Sequence, residues 1–228
     1  MAYQFKKGLV WLTGLAVFAF FSCGCRTSTT NNSNNSNNPT NNAMRAQTAA
    51  ETTRYSNSSE KISGDLQNNY VDFSFDYPSA WKRDTDAGKG KSPNFVKIEN
   101  ATADEITLEN FAVGYFSGQA DLMPELANQM SEQFSRGFPK YKKVSEGATK
   151  IGGYDGYEFR FTAHAEDTPK GDLDLWGRTV LLPGSNERKG AVLTMIATSA
   201  SDKIHSVNDV GEKGDLPIIL NSFRFEKN

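Results

Sequence analysis

The sequence reads as an α+β protein built on an antiparallel sheet of about six to seven strands flanked by helices. Three observations predict this. Short segments of period-two alternation recur after residue 70, rich in Phe, Tyr, Val and Ile. The later segments are separated at hairpin distance by Gly152-Gly153, "DTPKG" and "GSNERKG", each with the Gly, Asp or Pro that turns require. Only two stretches carry a helical pattern, so strands dominate and follow one another in hairpin order.

The N-terminus stands apart from this domain. Lys6 and Lys7 precede an uncharged, almost wholly apolar run of 13 residues, Leu9 to Phe21. As a helix that run reaches about 20 Å, short of a ~30 Å hydrocarbon core. Length and basic flank favour a secretory signal peptide, with a retained anchor helix as the alternative. Phe20-Phe21-Ser22-Cys23 resembles a bacterial lipoprotein box, where a small residue precedes the cysteine that is lipidated and becomes residue one. Phe20 stands where that box usually has Leu. Using Cys25 instead would put Ser22 where an aliphatic residue belongs, so Cys23 is the expected attachment site. A Cys23–Cys25 disulfide would close a strained ring. Residues 1–22 are thus expected to be a lipoprotein signal peptide. The protein is expected to be lipid-anchored on the extracytoplasmic side of a bacterial membrane.

Residues 23–64 read as a disordered tether. Positions 31 to 42 hold eight Asn with Ser33, Ser36, Pro39 and Thr40, and nothing to bury. About 40 flexible residues would span roughly 35 Å. Loss of residues 1–22 removes two lysines and no acid, leaving 23 basic and 27 acidic residues. That balance offers no basic face for nucleic acid. A domain of this size needs no disulfide to bury its core.

The folded domain is expected over 65–228. "YVDFSFDYP" alternates, with Val71, Phe73, Phe75 and Tyr77 on one face, and Pro78 ends it. "NFVKIEN" and "ITLENFAVGYF" follow as a short and a long strand. Asp121 to about Arg136 reads as a helix: Leu122, Leu126, Met130 and Phe134 recur every fourth residue, Asp121 suits an N-cap, and Gly137 with Pro139 ends it. Four strands come next, in "YKKVSEGATKI", "YDGYEFRFTAHAE", "LDLWGRTVLLP" and "GAVLTMIATSA". A helix beginning near Pro217 and a short extended "RFE" close the chain.

Chemistry is less legible. If the hairpin around "DTPKG" closes at Glu166 and Asp172, His164 lies opposite Asp174. That groups His164, Glu166, Asp172 and Asp174 at one sheet end as candidate ligands for a divalent cation. Ordinary cross-strand pairs on a solvated face are the plainer reading. Trp176 shares that polar face, where an exposed indole would mark a partner surface, unless a helix covers it. Trp81 is expected at the edge of the core. "GKGKS" at 88–92 lacks the spacing of a phosphate loop, with Thr85 where Gly is needed. No nucleophile or zinc motif is present in the sequence, so no catalytic residue is assigned.

The order of features resembles the PsbP-like family, in particular its lipid-anchored bacterial members. The resemblance covers most of 65–228. It rests on Tyr77, Pro78 and Trp81, on Gly156, Tyr157 and Phe159, and on the terminal Asn221, Ser222 and Phe223. It implies an α-β-α sandwich shared with Ran-binding import factors, and a non-enzymatic, protein-binding role as an accessory or assembly factor. In a photosynthetic host it implies association with photosystem II on the lumenal side of the thylakoid. The loops "DTDAGKGKSPN" and "SVNDVGEKGDL" depart from the photosystem proteins. The alternative is a cation- or small-ligand-binding protein of the envelope.

Overall fold

A computed structural model describes residues 51–89, 92–117, 119–168, 170–184 and 189–226. The signal segment, Cys23, the first part of the tether and residues 90 and 91 of "GKGKS" lie outside the described residues. The strands are β1 Thr52–Ser56, β2 Phe73–Pro78, β3 Lys82–Arg83, β4 Val96–Ala101, β5 Thr107–Ser117, β6 Lys142–Ile151, β7 Tyr154–Thr168, β8 Gly171–Pro183, β9 Lys189–Thr198 and β10 Arg224–Phe225. The α-helices are α1 Asp65–Asn68, α2 Met123–Gly137 and α3 Leu216–Ser222.

Seven strands form one antiparallel sheet in the order β3-β4-β5-β9-β8-β7-β6. The expected α+β architecture is therefore the observed one. The order is not a run of simple hairpins, because β9 inserts between β5 and β8. A second sheet, β1-β2-β10, stands apart from the first. It carries α3 against β2, so one face of the large sheet is covered by strands and a helix together.

Two cores lie on the two faces of the large sheet. One packs Phe73, Phe75, Ile219 and Phe223 on Ile98, Phe111, Val113, Leu193 and Met195. The other packs Ala127 and Phe134 of α2 on Phe159, Phe161, Leu181 and Ile196. Along β9, Leu193 and Met195 enter the first core while Val192 and Ile196 enter the second, as the two-residue strand period requires. Fully burying each such side chain is worth about 1.5–3 kcal/mol. Gly177 of β8 is needed for the second core, since a Cβ there would lie 2.0 Å from the Phe161 ring.

The ordered domain begins earlier than residue 65. β1 is polar at all positions but Tyr55, which gives it no alternating signature. It pairs with β2 from Thr52↔Pro78 to Ser56↔Ser74. Tyr55 stacks on Phe75, with ring centroids 5.3 Å apart, and its hydroxyl is pushed up to about 12 by burial. Buried Asn57 then donates its amide to the carbonyl of Val71. The tether, as read from sequence, is thus shortened by at least its last 13 residues, 52–64.

α2 starts two residues later than expected. A single 3-10 turn, Ala120–Leu122, precedes it, the cap residue is Leu122, and Asp121 makes no capping bond. Pro124 sits in the first helical turn, where its missing N–H costs nothing. The closing helix and the short final strand form where the sequence placed them.

Candidate functional site

The register of β7 and β8 places His164 opposite Asp174, as the spacing predicts. His164 Nδ1 lies 3.2 Å from Asp174 Oδ1, and Nε2 lies 3.5 Å from Asp172 Oδ2. The two carboxylates therefore flank opposite edges of one imidazole. A chelated ion would need both to converge with a single ring nitrogen. Glu166 is not part of the cluster; it faces Lys140 at 3.9 Å. A bulge between Ala165 and Thr168 turns the strand end away. Among the described residues no three His, Cys, Asp or Glu side chains meet in a metal-binding group.

Away from the turn the polar face of this hairpin is not a solvated one, although Glu166, Asp172 and Asp174 at its end are exposed. Strand register carries it straight into the first core: Arg160 and Arg178 lie in a cross-strand row with Met195, Phe111 and Ile98. Both guanidiniums are buried. Arg178 donates to Glu158 Oε2 at 2.7 Å and to Glu212 Oε1 at 2.9 Å. Arg160 donates to Glu158 Oε1 at 2.9 Å and to the carbonyls of Val207 and Val210. Burial pushes the Glu158 carboxyl up, but Arg178, the Thr149 hydroxyl and Arg160 outweigh it and hold it below the ordinary range. The segment from Ser201 to Asp215 is laid over the sheet by these contacts. Alternation showed which residues share the face, but no local signal showed that a distant loop would cover it.

The next row brings Trp176 into line with Glu109, a residue that the strand pattern does not single out. Trp176, Ala197, Glu109 and Asn100 are cross-strand neighbours in turn. Trp176 is half-buried against the first core rather than standing free as an exposed indole. Glu109 is buried. Its Oε2 accepts a long hydrogen bond of 3.4 Å from the Asp215 N–H, and its Oε1 has no partner. Burial pushes this carboxyl up and the Asp215 carboxylate adds to that, while the backbone N–H groups of Asp215 and Leu216 and the Lys203 ammonium oppose it without reversing it. Gly214 closes over the carboxylate at φ +71, where a Cβ would come 2.7 Å from Oε2. Only glycine allows that approach and that backbone conformation without strain.

A cavity of about 310 Å³ opens beside this row, lined by Pro78, Trp81, Asn100, Lys203 and Asp215 among others. Trp81 is buried at the core edge, as expected, and its Nε1 lacks a hydrogen-bond partner. Lys203 spans the opening to Asp215, with both carboxylate oxygens 3.0 Å away. No nucleophile paired with a base stands among these lining residues.

No protein-family model matches this chain, and comparison with curated protein sequences gives no match. Solved structures of similar fold do match. Cyanobacterial PsbP from Synechocystis is 15% identical over 81% of this chain and 98% of its own, with a TM-score of 0.43. LpqN, involved in cell envelope biogenesis of Mycobacterium tuberculosis, is 10% identical over 77% and 92%, with a TM-score of 0.46. The Ran-binding protein Mog1p of Saccharomyces cerevisiae is 11% identical over 65% and 78%, with a TM-score of 0.42. This chain spans only 46% of the length of a Bacteroides thetaiotaomicron protein that it also matches. PsbP and the Ran-binding fold named from the sequence are thus among the matches. At these identities the likeness concerns the fold alone.

Proposed function

We propose that this chain is a lipid-anchored, extracytoplasmic accessory or assembly protein that acts by binding another protein and not by catalysis. The observation that carries this is the sequence "FFSC" ending at Cys23, followed by an Asn-rich run ahead of a domain that first pairs at Thr52. Such a plan holds a module near a membrane while leaving it free to meet a partner. The domain's own polar chemistry favours the same reading. Its buried arginines and Glu158 are engaged in holding the domain's own loop.

The partner face that we assign is the flank of α2. Leu122 is 43% exposed there, beside the half-buried Met123, Leu126 and Met130. Met-rich apolar helix surfaces adapt readily to another chain. In a photosynthetic host, a lumenal photosystem II subunit is the first partner to test.

Two measurements test the reading separately. Mass spectrometry of the mature N-terminus is expected to find Cys23 first and lipidated; an unmodified Cys23 overturns the anchor. A photo-crosslinking amino acid at position 122, activated in intact cells, is expected to give a discrete heavier product. Its absence alongside a working control position overturns the α2 face.

A further inference from the structure

The large sheet ends in two unlike edges. On one side lies β3, two residues long; on the other lies β6, ten residues long, paired only with β7 among the described residues. An edge strand offers unpaired backbone N–H and C=O groups to any further strand.

β6 is guarded over its first half only. Lys142, Lys143 and a register shift between Lys143 and Ser145 leave Val144 46% exposed at the bulge. Lysines and bulges are the devices that blunt an edge. From Ser145 to Ile151 the register with β7 is regular. The side chains of Ser145, Gly147, Ala148 and Thr149 are small, and a Cβ on Gly147 would meet nothing within 4 Å.

The charges in this open half have an order. Glu146, Ala148 and Lys150 alternate, so they share one face of the sheet, and all three are exposed. Antiparallel pairing of the strand with itself about Ala148 sets Glu146 opposite Lys150 of the second copy, twice over. Ala148 then meets its own counterpart, with no bulk between the backbones. Centring on Glu146 instead would oppose two glutamates and set Lys142 against Lys150. Centring on Val144 would match Lys142 with Glu146 but would run through the bulge. Opposite charges directly across strands stabilise a pair, and like charges destabilise it.

We propose that the β6 edge pairs with the β6 edge of a second copy of this chain, centred on Ala148, joining the two large sheets into one. Directly opposed residues on adjacent strands hold their Cβ atoms roughly 4.5–5.5 Å apart, and a small relaxation of the strand pair brings the closer of these to the ~4.5 Å that a disulfide spans.

The test uses the full chain in its membrane with Cys25→Ser, the same chain without further change serving as background for Cys23. Ala148→Cys is expected to give a disulfide-linked dimer roughly tenfold more readily than Asp104→Cys at an exposed turn. Adding Glu146→Lys is expected to lower that yield to background, and adding Lys150→Glu as well is expected to restore it. Both charges are exposed, and the partners they have within the chain, Lys143 at 2.6 Å from Glu146 and Asp155 at 3.0 Å from Lys150, form surface pairs that contribute little to the fold. A yield at Ala148→Cys no higher than at Asp104→Cys overturns the proposal. So does a yield indifferent to the charge swap, or a main product linked to a different polypeptide.

Discussion

Arg160 and Arg178, which hold residues 207–212 of the Ser201–Asp215 segment, and Glu109, which meets Gly214 and Asp215, are all charged groups taken out of water, yet they are served differently. The two arginines share Glu158 and Glu212 and take up loop carbonyls as well. Glu109 has one long backbone contact and an unpartnered oxygen. Burying a charge is costly unless partners restore what water supplied. The first cluster meets that condition and depresses the pKa of its carboxylate, while the second does not and raises it. Both hold the same loop over one sheet face, so substitutions can separate what pairing contributes from what position contributes.

The largest effect is expected from Arg178→Ala. It leaves the buried Glu158 carboxylate with Arg160 as its one remaining guanidinium and takes the closer of two guanidiniums from Glu212, and breaking such a buried pair costs about 3–5 kcal/mol. Urea unfolding of the full chain, read by tryptophan fluorescence, would show it. Arg178→Met with Glu158→Gln is expected to recover part of the loss, because no carboxylate is then left facing the missing Arg178, while Arg160 keeps the carbonyls of Val207 and Val210 and the Glu212 carboxylate. Equal instability of the single and double variants would mean that the loop is held by shape and not by the ion pairs.

Gly214→Ala comes next. It adds both the strain of a positive φ and a contact inside 3 Å with the Glu109 carboxylate. Such combined backbone and steric cost is about 1–3 kcal/mol. Combining it with Glu109→Ala removes the steric part alone, so a partial rescue is expected. Full additivity would show that the loop and Glu109 do not press on each other.

How much of this was legible beforehand differs between the two ends. The pairing of His164 with Asp174, and the shared face of Glu158, Arg160 and Arg178, follow from the two-residue period and one hairpin turn. The cover over that face comes from Ser201–Asp215, more than 40 residues from Arg160 in sequence, and period carries no such information. Glu109 looked like one more polar residue of an alternating strand. Its burial depends on β9 entering between β5 and β8, an order that local patterns do not encode. β1 was illegible for another reason: its single inward residue, Tyr55, cannot set up a period.

Glu109→Gln tests the poorly served end by pH. The folded-state pKa of Glu109 is raised, so its protonated form is the one the fold favours. Its contribution to stability is present below the ordinary carboxylate range and is lost as pH rises through the folded pKa. The Gln variant keeps a carbonyl oxygen for the Asp215 N–H and never ionises. It is therefore expected to melt higher than the parent at pH 7, with the gap closing as pH falls through the carboxylate range. A gap that widens toward acid would reverse the assignment.

The smallest effect is expected from Glu212→Gln. Glu212 touches both arginines, yet its side chain is 59% exposed, so water and salt screen what it gives. Glutamine can still accept from Arg178, and the buried charge pairing with Glu158 stays intact. A loss of about 0.2–1 kcal/mol is expected, shrinking with added salt. That outcome would place the strength of the arginine end in buried Glu158 and leave Glu212 as a fastening at its rim. A loss as large as that of Arg178→Ala would move the weight to Glu212, and the loop would then be held from its exposed side.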